Sequence, residues 1–302
     1  MYRLSLIVSI CLLGIASLGA GIPDNAGQYG YQFLDVSTNP VALAMAGRGI
    51  HSPNAAASFI HQPASGALNA HRSLGASYTA WLADINYNNL YYSYSTRKQH
   101  FGLAMRVMDY GSLENRDDAG AIIGTYSPLD LDLMANYAVR IVPSLYVGAN
   151  AGVVYEKLNS DSSLGVHTDL GLTWLPPLKN TSLSASVRNL GLSTAMNEVK
   201  TKFSPSFELD MGHSFRFNRY DIMLEAGGFK AVNENWKASV SAEFGFYDQL
   251  ALLRLGYKIN HDAEDLSAGF GLRWKNIGVD YGWAMFSDRL SDVHSVGLSY
   301  NF

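Results

Sequence analysis

The chain has 302 residues, 48% of them hydrophobic and only 16% charged, with 28 Gly, 18 Tyr and a formal net charge of -4. A disordered chain would be poorer in apolar residues, and a nucleic-acid binder would carry a basic tract, so no nucleic-acid partner is expected. What remains is a soluble all-β protein or a membrane barrel.

Met1, Tyr2 and Arg3 open the chain with a positive charge, Leu4 to Ile15 run apolar, and Ala16 to Gly21 are mostly small. This pattern predicts a cleaved signal peptide over residues 1–20 and hence an exported protein. The single cysteine, Cys11, lies inside it, so the mature chain is expected to carry no disulfide, Cys-bound metal or Cys nucleophile. A lipoprotein would need a small residue before Cys11, where Ile10 stands. Further on, no apolar run reaches the roughly 18 residues of a membrane helix. If the mature chain spans a membrane, it must do so as a closed barrel, because lipid cannot satisfy an open sheet edge.

Residues 21–72 are assigned to a plug. They do not alternate, and small-residue runs at Ala42 to Gly49 and Ala55 to Ser58 predict turns and short helical pieces, inside a barrel or against its periplasmic mouth. Residues 73–302 are assigned to an outer-membrane barrel of about fourteen antiparallel strands. The strands are expected near 73–82, 85–96, 99–109, 129–141, 144–157, 164–175, 181–191, 205–216, 220–231, 236–247, 250–260, 266–275, 277–287 and 294–302. Trp236 to Ile259 shows the pattern plainly: Trp236, Ala238, Val240, Ala242, Phe244 and Phe246 alternate with Lys237, Ser239, Ser241, Glu243, Gly245 and Tyr247. A strand of about ten residues crosses a bilayer when tilted.

With the amino end in the periplasm, the links there are short, as at Thr96 to Gln99 and Val142 to Ser144. The outer links read longer and more polar, notably Gly111 to Pro128, Asn159 to Ser163, Ser193 to Ser204 and Asp288 to His294. The chain closes on Val296, Leu298, Tyr300 and Phe302, an ending expected to engage the barrel-assembly machinery. Outer-membrane lipid is then the partner of the wall, and the cell outer membrane the location.

Several short motifs carry a family resemblance. They are Tyr31-Gln32-Phe33-Leu34-Asp35, Ala42 to Gly49, His61-Gln62-Pro63-Ala64, Ala83-Asp84-Ile85-Asn86-Tyr87, Tyr110 to Glu114, Gly124 to Ser127 with Asp130, and Arg188-Asn189-Leu190-Gly191. The chain resembles the PorV/PorQ family of outer-membrane proteins, a branch of the FadL-like barrels, and within it PorQ. Gln62 stands where the family has Asn before its Pro, and Arg48 interrupts a glycine pair. The resemblance implies a fourteen-stranded plugged barrel serving type IX secretion, with machinery subunits or secreted proteins as partners.

Chemistry offers little for catalysis. The eight His are spread without ligand spacing, with His61 and His71 in or near the plug, His100 and His167 on strands, and His261 and His294 in outer loops. No metal or cofactor is expected. The acidic run Glu114 to Asp118 lacks the spaced ligands and glycine of a calcium loop and reads as a solvated turn. No nucleophile elbow, P-loop or dinucleotide fingerprint occurs, so no catalytic residues are assigned and no enzyme is expected.

If the apolar set faces lipid, Asp130, Asp132, Arg140, Asp169, Arg188, Glu208, Asp210, Arg216, Glu225, Lys237, Glu243, Arg254, Lys258, Arg273 and Asp280 face the lumen. The signs are balanced, whereas an ion pore would favour one sign and a fatty-acid tunnel more apolar positions. The expected role is therefore a plugged, non-enzymatic barrel working through partners, with Ala119, Ile122, Ile123, Met196, Val199 and Phe203 on its outer loops as the partner surface. A FadL-like transporter of small hydrophobic molecules is the alternative.

Overall fold

Leu74, Ala76 and Tyr78 are exposed along Arg72–Ala80, while Ser73, Ser77 and Thr79 between them are buried. That order is inverted relative to a water-soluble sheet, and it repeats around the wall. Leu133, Leu170, Leu255, Phe270 and Val279 point out, and Asp132, Asp169, Arg254 and Asp280 point in. Such a wall is stable only with lipid outside and a polar lumen inside. The computed structural model describes residues 27–37, 39–68, 72–287 and 290–302. The predicted signal peptide, Cys11 and His71 lie outside the described residues.

In chain order the strands are β1 (Arg72–Ala80), β2 (Asn86–Ser95), β3 (Gln99–Asp109), β4 (Leu113–Arg116), β5 (Ile122–Tyr126), β6 (Leu129–Val142), β7 (Leu145–Lys157), β8 (Ser162–Trp174), β9 (Thr181–Ser193), β10 (Ala195–Met196), β11 (Val199–Lys200), β12 (Ser206–Phe217), β13 (Tyr220–Ala231), β14 (Lys237–Phe246), β15 (Ala251–Ile259), β16 (Glu264–Trp274), β17 (Ile277–Phe286) and β18 (Val293–Asn301). Fourteen of them form one closed antiparallel barrel, and β4–β5 and β10–β11 are separate hairpins on its loops. Closure comes from β1 pairing with β18, from Ser73↔Asn301 to Ala80↔His294, so no wall strand is left with an open edge. Each wall strand lies within two residues of its expected bounds, because the period-2 signal is strong wherever one face meets lipid and the other a polar lumen.

Arg72 and Phe302 mark the turn end of the barrel, and the opposite end, which carries both hairpins, is the loop end. The expected asymmetry of links holds only in part. Residues 110–128 and 194–205 are long, but the loop-end links 158–161 and 260–263 are as short as turns, and the turn-end link 175–180 is longer than either. The long links stay ordered by folding into hairpins. In the first, Asp117 Oδ1 accepts from the amides of Ala119 (3.0 Å) and Ala121 (2.8 Å), making it a self-capped turn.

One irregularity in the wall reaches the plug directly. The β8–β9 register shifts between Thr168 and Leu170, opposite Asn189, whose φ is 58°. A bulge of this kind sends two consecutive side chains to one face, here Arg188 and Asn189 into the lumen.

Residues 27–37 and 39–68 thread that lumen from the loop end to the turn end as short helical turns, namely 3-10 turns at Gln32–Asp35, Ser58–Ile60 and Ser65–Ala67 and one α-helix, α1 (Pro40–Ala44). Asn39 starts α1, its side chain accepting from the Ala42 amide (3.0 Å), and Pro40 supplies the preset first-turn φ. No helix among the described residues is long and apolar enough to cross a membrane.

Candidate functional site: a plugged lumen with a chamber at each end

The plug is bound to the wall at three places. At the loop end, the Gly30 amide donates to the Lys202 carbonyl (3.0 Å) and Tyr31 stacks on Phe203 with ring centroids 4.3 Å apart. Phe203 is therefore buried under the plug, not offered to a partner as expected, because an aromatic at a lumen mouth finds more apolar surface inside than in water. The Leu34 carbonyl accepts from Arg106 (3.1 Å) and from Arg188 (2.8 Å). Asp35 takes Asn189 Nδ2 at 2.9 Å and Arg188 Nη2 at 3.3 Å, so the bulge delivers both of its side chains to one carboxylate. Asp35 keeps some exposure, yet its depth in the barrel mouth strips enough water to push its carboxyl up to about 6, against the pull of Arg188.

At mid-depth, Arg48 donates through Nε to Ser239 (2.6 Å) and through Nη1 to Glu208 (3.2 Å) and Asp210. Glu225 accepts the backbone amides of Gly49 (2.6 Å) and His51 (2.9 Å), and Ser52 donates to Glu243 (2.8 Å). Gly49 sits at φ 91°, which lets its own amide and that of His51 turn toward one carboxylate and which a Cβ would strain. The wall behind is itself ion-paired: Arg254 holds Glu243 and Asp280 at 2.7 Å each. Removing one member of such a pair leaves an uncompensated buried charge, which is why these groups specify one plug position.

Midway along β6 and β7, side-chain amides hold plug carbonyls. Asn150 donates to Phe59 (3.1 Å), and Asn136 donates to Pro63 (3.0 Å). Phe59 lies against Gly102 of β3, where a Cβ would come within 2.6 Å of the ring.

All fifteen charges expected in the lumen sit on the inward phase of their strands, although Arg216 lies at the turn-end rim and is largely exposed. The plug draws together Arg188, Glu208, Asp210, Glu225 and Glu243. Arg106 was missed, although its place between outward Met105 and Val107 marked it as inward; it pairs with Asp132 at 2.8 Å. Asn136 and Asn150 were also missed, since neutral amides do not stand out in a charge census. Of the histidines, His167 Nε2 lies 2.9 Å from Asp132 and His100 lies 5.2 Å from Phe59 between ring centroids, both as wall packing. His51 meets Ser182 at 2.7 Å, and burial with the nearby Arg48 charge pushes its imidazole down to about 3, leaving it neutral near pH 7.

Two chambers flank the mid-depth segment. The loop-end chamber, about 300 Å³, is lined by Ala46, Gly47 and Arg48 of the plug together with Trp81, Phe229 and several charged wall residues. The turn-end chamber, about 500 Å³, is lined by His51 and Leu68 of the plug, by the Leu175 to Asn180 turn and by Ser182 and Met223. Arg48 lines one chamber and His51 the other, with Gly49 and Ile50 between them in the chain.

The same architecture occurs in solved structures of known channels. The chain superposes on the CymD monoaromatic hydrocarbon channel with a TM-score of 0.65 at 15% identity, over 89% of this chain and 98% of that one. The fold is that of the FadL-type barrel. The Pseudomonas putida toluene transporter TodX gives 0.59 at 14% identity over 88% and 98%, and a Pseudomonas aeruginosa FadL homologue 0.57 at 13% over 94% and 100%. No family model matches the chain, and no curated protein does. The FadL-like part of the sequence resemblance thus stands at the level of fold, while the narrower PorV/PorQ assignment gains no support. Short Gly-rich and Ala-rich motifs are what any plug of this packing needs, so they mark the architecture more than the subfamily.

Proposed function

We propose that this protein is an outer-membrane channel admitting small, largely hydrophobic molecules, with the plug segment Gly47 to His51 as its gate. The observation that carries this is the pair of chambers, one at each end of a single lumen, parted by a segment fastened to the wall through side-chain bonds. Hydrogen bonds and ion pairs of this kind exchange between partners without unfolding the wall, so the partition can move while the barrel stays closed. In support, the channels of like fold are described as carrying monoaromatic hydrocarbons and toluene. Nothing in this reading asks a residue to catalyse a reaction. Reconstituted into liposomes, the intact chain should conduct little, and deletion of residues 22–70 should open it; a deletion variant that folds yet stays shut would end the proposal.

Partner binding beside a type IX-like secretion pathway is a second reading. It is favoured by the β4–β5 hairpin, where Ile122 and Ile123 are 56% and 62% exposed beyond the wall. Co-purification of defined secretion subunits, lost on Ile122→Asp, would support it.

A further inference from the structure

The loop-end chamber is unlike a greasy funnel. It is ringed by four ion pairs: Arg48 with Glu208 (3.2 Å), Arg188 with Asp35 (3.3 Å), Lys237 with Glu234 (2.8 Å) and Lys258 with Glu264 (2.5 Å). The two arginines are each tied to a further group, Arg48 to Ser239 and Arg188 to the Leu34 carbonyl. The two lysines are not: an ammonium has three donors, and each is engaged by a single carboxylate. Lys237 and Lys258 stand on adjacent strands, and Glu234 and Glu264 lie beside them. Trp81, Phe229 and Val36 supply the apolar part of the lining.

Three classes of occupant can be compared on these groups. A bare hydrocarbon would displace the water solvating eight charged groups and offer them no bond in return. An ion of one sign would meet as many like charges as opposite ones, because the lining sums to zero. A molecule carrying both signs can accept from the lysine ammonium groups and donate to the glutamates, trading one ion pair for two. Its apolar body can then lie on Trp81 and Phe229. The volume, about 300 Å³, suits a small molecule, at the lower end of ligand cavities.

We propose that this chamber is a binding station for small zwitterions with an apolar body, in which an ammonium and a carboxylate sit beside an aromatic or branched alkyl group. The proposal rests on reading the chamber as the entry of a channel and narrows what enters it: an amphipathic molecule with a paired-charge head, not a bare hydrocarbon.

Trp81 lines the chamber and reports on occupancy by fluorescence, with Trp81→Phe as the blank. The probes are phenylalanine, 3-phenylpropionate, phenethylamine and toluene, added to the full-length protein folded in detergent. Phenylalanine should perturb Trp81 saturably, and loss of either charged group from the probe should weaken binding roughly tenfold. Lys258→Met should weaken phenylalanine and 3-phenylpropionate and spare phenethylamine, and Glu264→Gln should weaken phenylalanine and phenethylamine and spare 3-phenylpropionate; Lys237→Met or Glu234→Gln serves for the variant of like charge that loses its heat-modifiable folded form. Toluene binding as tightly as phenylalanine would overturn the proposal, as would an unchanged phenylalanine affinity in all folded variants. Liposome swelling separates the two readings: saturable binding without permeation of any solute counts against the channel and leaves the binding station standing.

Discussion

Glu225 on β13 holds Gly49 through its backbone amide at 2.6 Å, and with its other oxygen takes the amide of His51 at 2.9 Å. One wall carboxylate thereby fixes the main chain of the segment between the two chambers. Charge-assisted bonds of this type are worth about 1.5–3 kcal/mol each. Glu225→Gln keeps the shape but loses the charge and one acceptor, so the plug should release more often. Solute flux through liposomes should rise roughly tenfold, the equivalent of about 1.4 kcal/mol, while the folded barrel keeps its mobility on a heat-modifiability gel. Unchanged flux would mean that the segment is not the barrier.

Acidity should tighten the loop-end part of the plug. Asp35, which faces Arg188, Asn189, Glu208 and Glu234, has its carboxyl raised from 3.8 to about 6, so its protonated form is the one the folded plug favours. That contribution is complete below about 3.8 and is lost as pH rises through about 6. Between about pH 5 and pH 7.5, amide exchange over residues 31–36 should therefore speed up in the native chain and change less in Asp35→Asn. His51 shifts in the opposite direction, but its contribution is common to both proteins and cancels in the difference. Equal pH dependence in the two proteins would contradict the assignment.

The outward face should reject charge. Leu255, mid-strand on β15 and 52% exposed, faces lipid, and Leu255→Arg should cost about 2–4 kcal/mol of folding free energy in vesicles. Leu255→Ile should cost far less. An arginine tolerated there without loss would mean that this face meets water.

Phe302 closes the barrel seam. Its amide donates to the Arg72 carbonyl at 2.8 Å, and its ring meets Tyr300 edge-on with centroids 5.0 Å apart. Phe302→Ala should slow assembly in cells and leave the stability of the assembled barrel within about 1 kcal/mol, since the ring is mostly exposed. Pulse-chase of the heat-modifiable form reads the rate; a normal rate would remove the terminal ring from the assembly signal.

The wall was legible in the chain itself because its signal is local. A strand places neighbours on opposite faces, so Leu131, Leu133 and Ala135 alternating with Asp130, Asp132 and Met134 reveal both a lipid face and a lumen face without knowledge of any partner strand. The strand count and the inward charges follow from that period, as does the reading of residues 21–72, which lack it, as turns and short helical pieces. Their connections do not follow. Arg48 looked like a break in a glycine motif, yet it is the residue that pins the plug, to Glu208, Asp210 and Ser239, each at least 160 positions away along the chain. Asn189 turns inward beside Arg188 only because the β8–β9 register slips, and the reach of Asp35 to both depends on where closure of the barrel sets β9 against the plug. The two chambers and the balance of charge in one of them exist only after fourteen strands have closed around a segment whose own sequence has no period. Alternation is a property of the backbone, whereas the choice of partner across a lumen depends on barrel circumference, register and the space left by every other side chain.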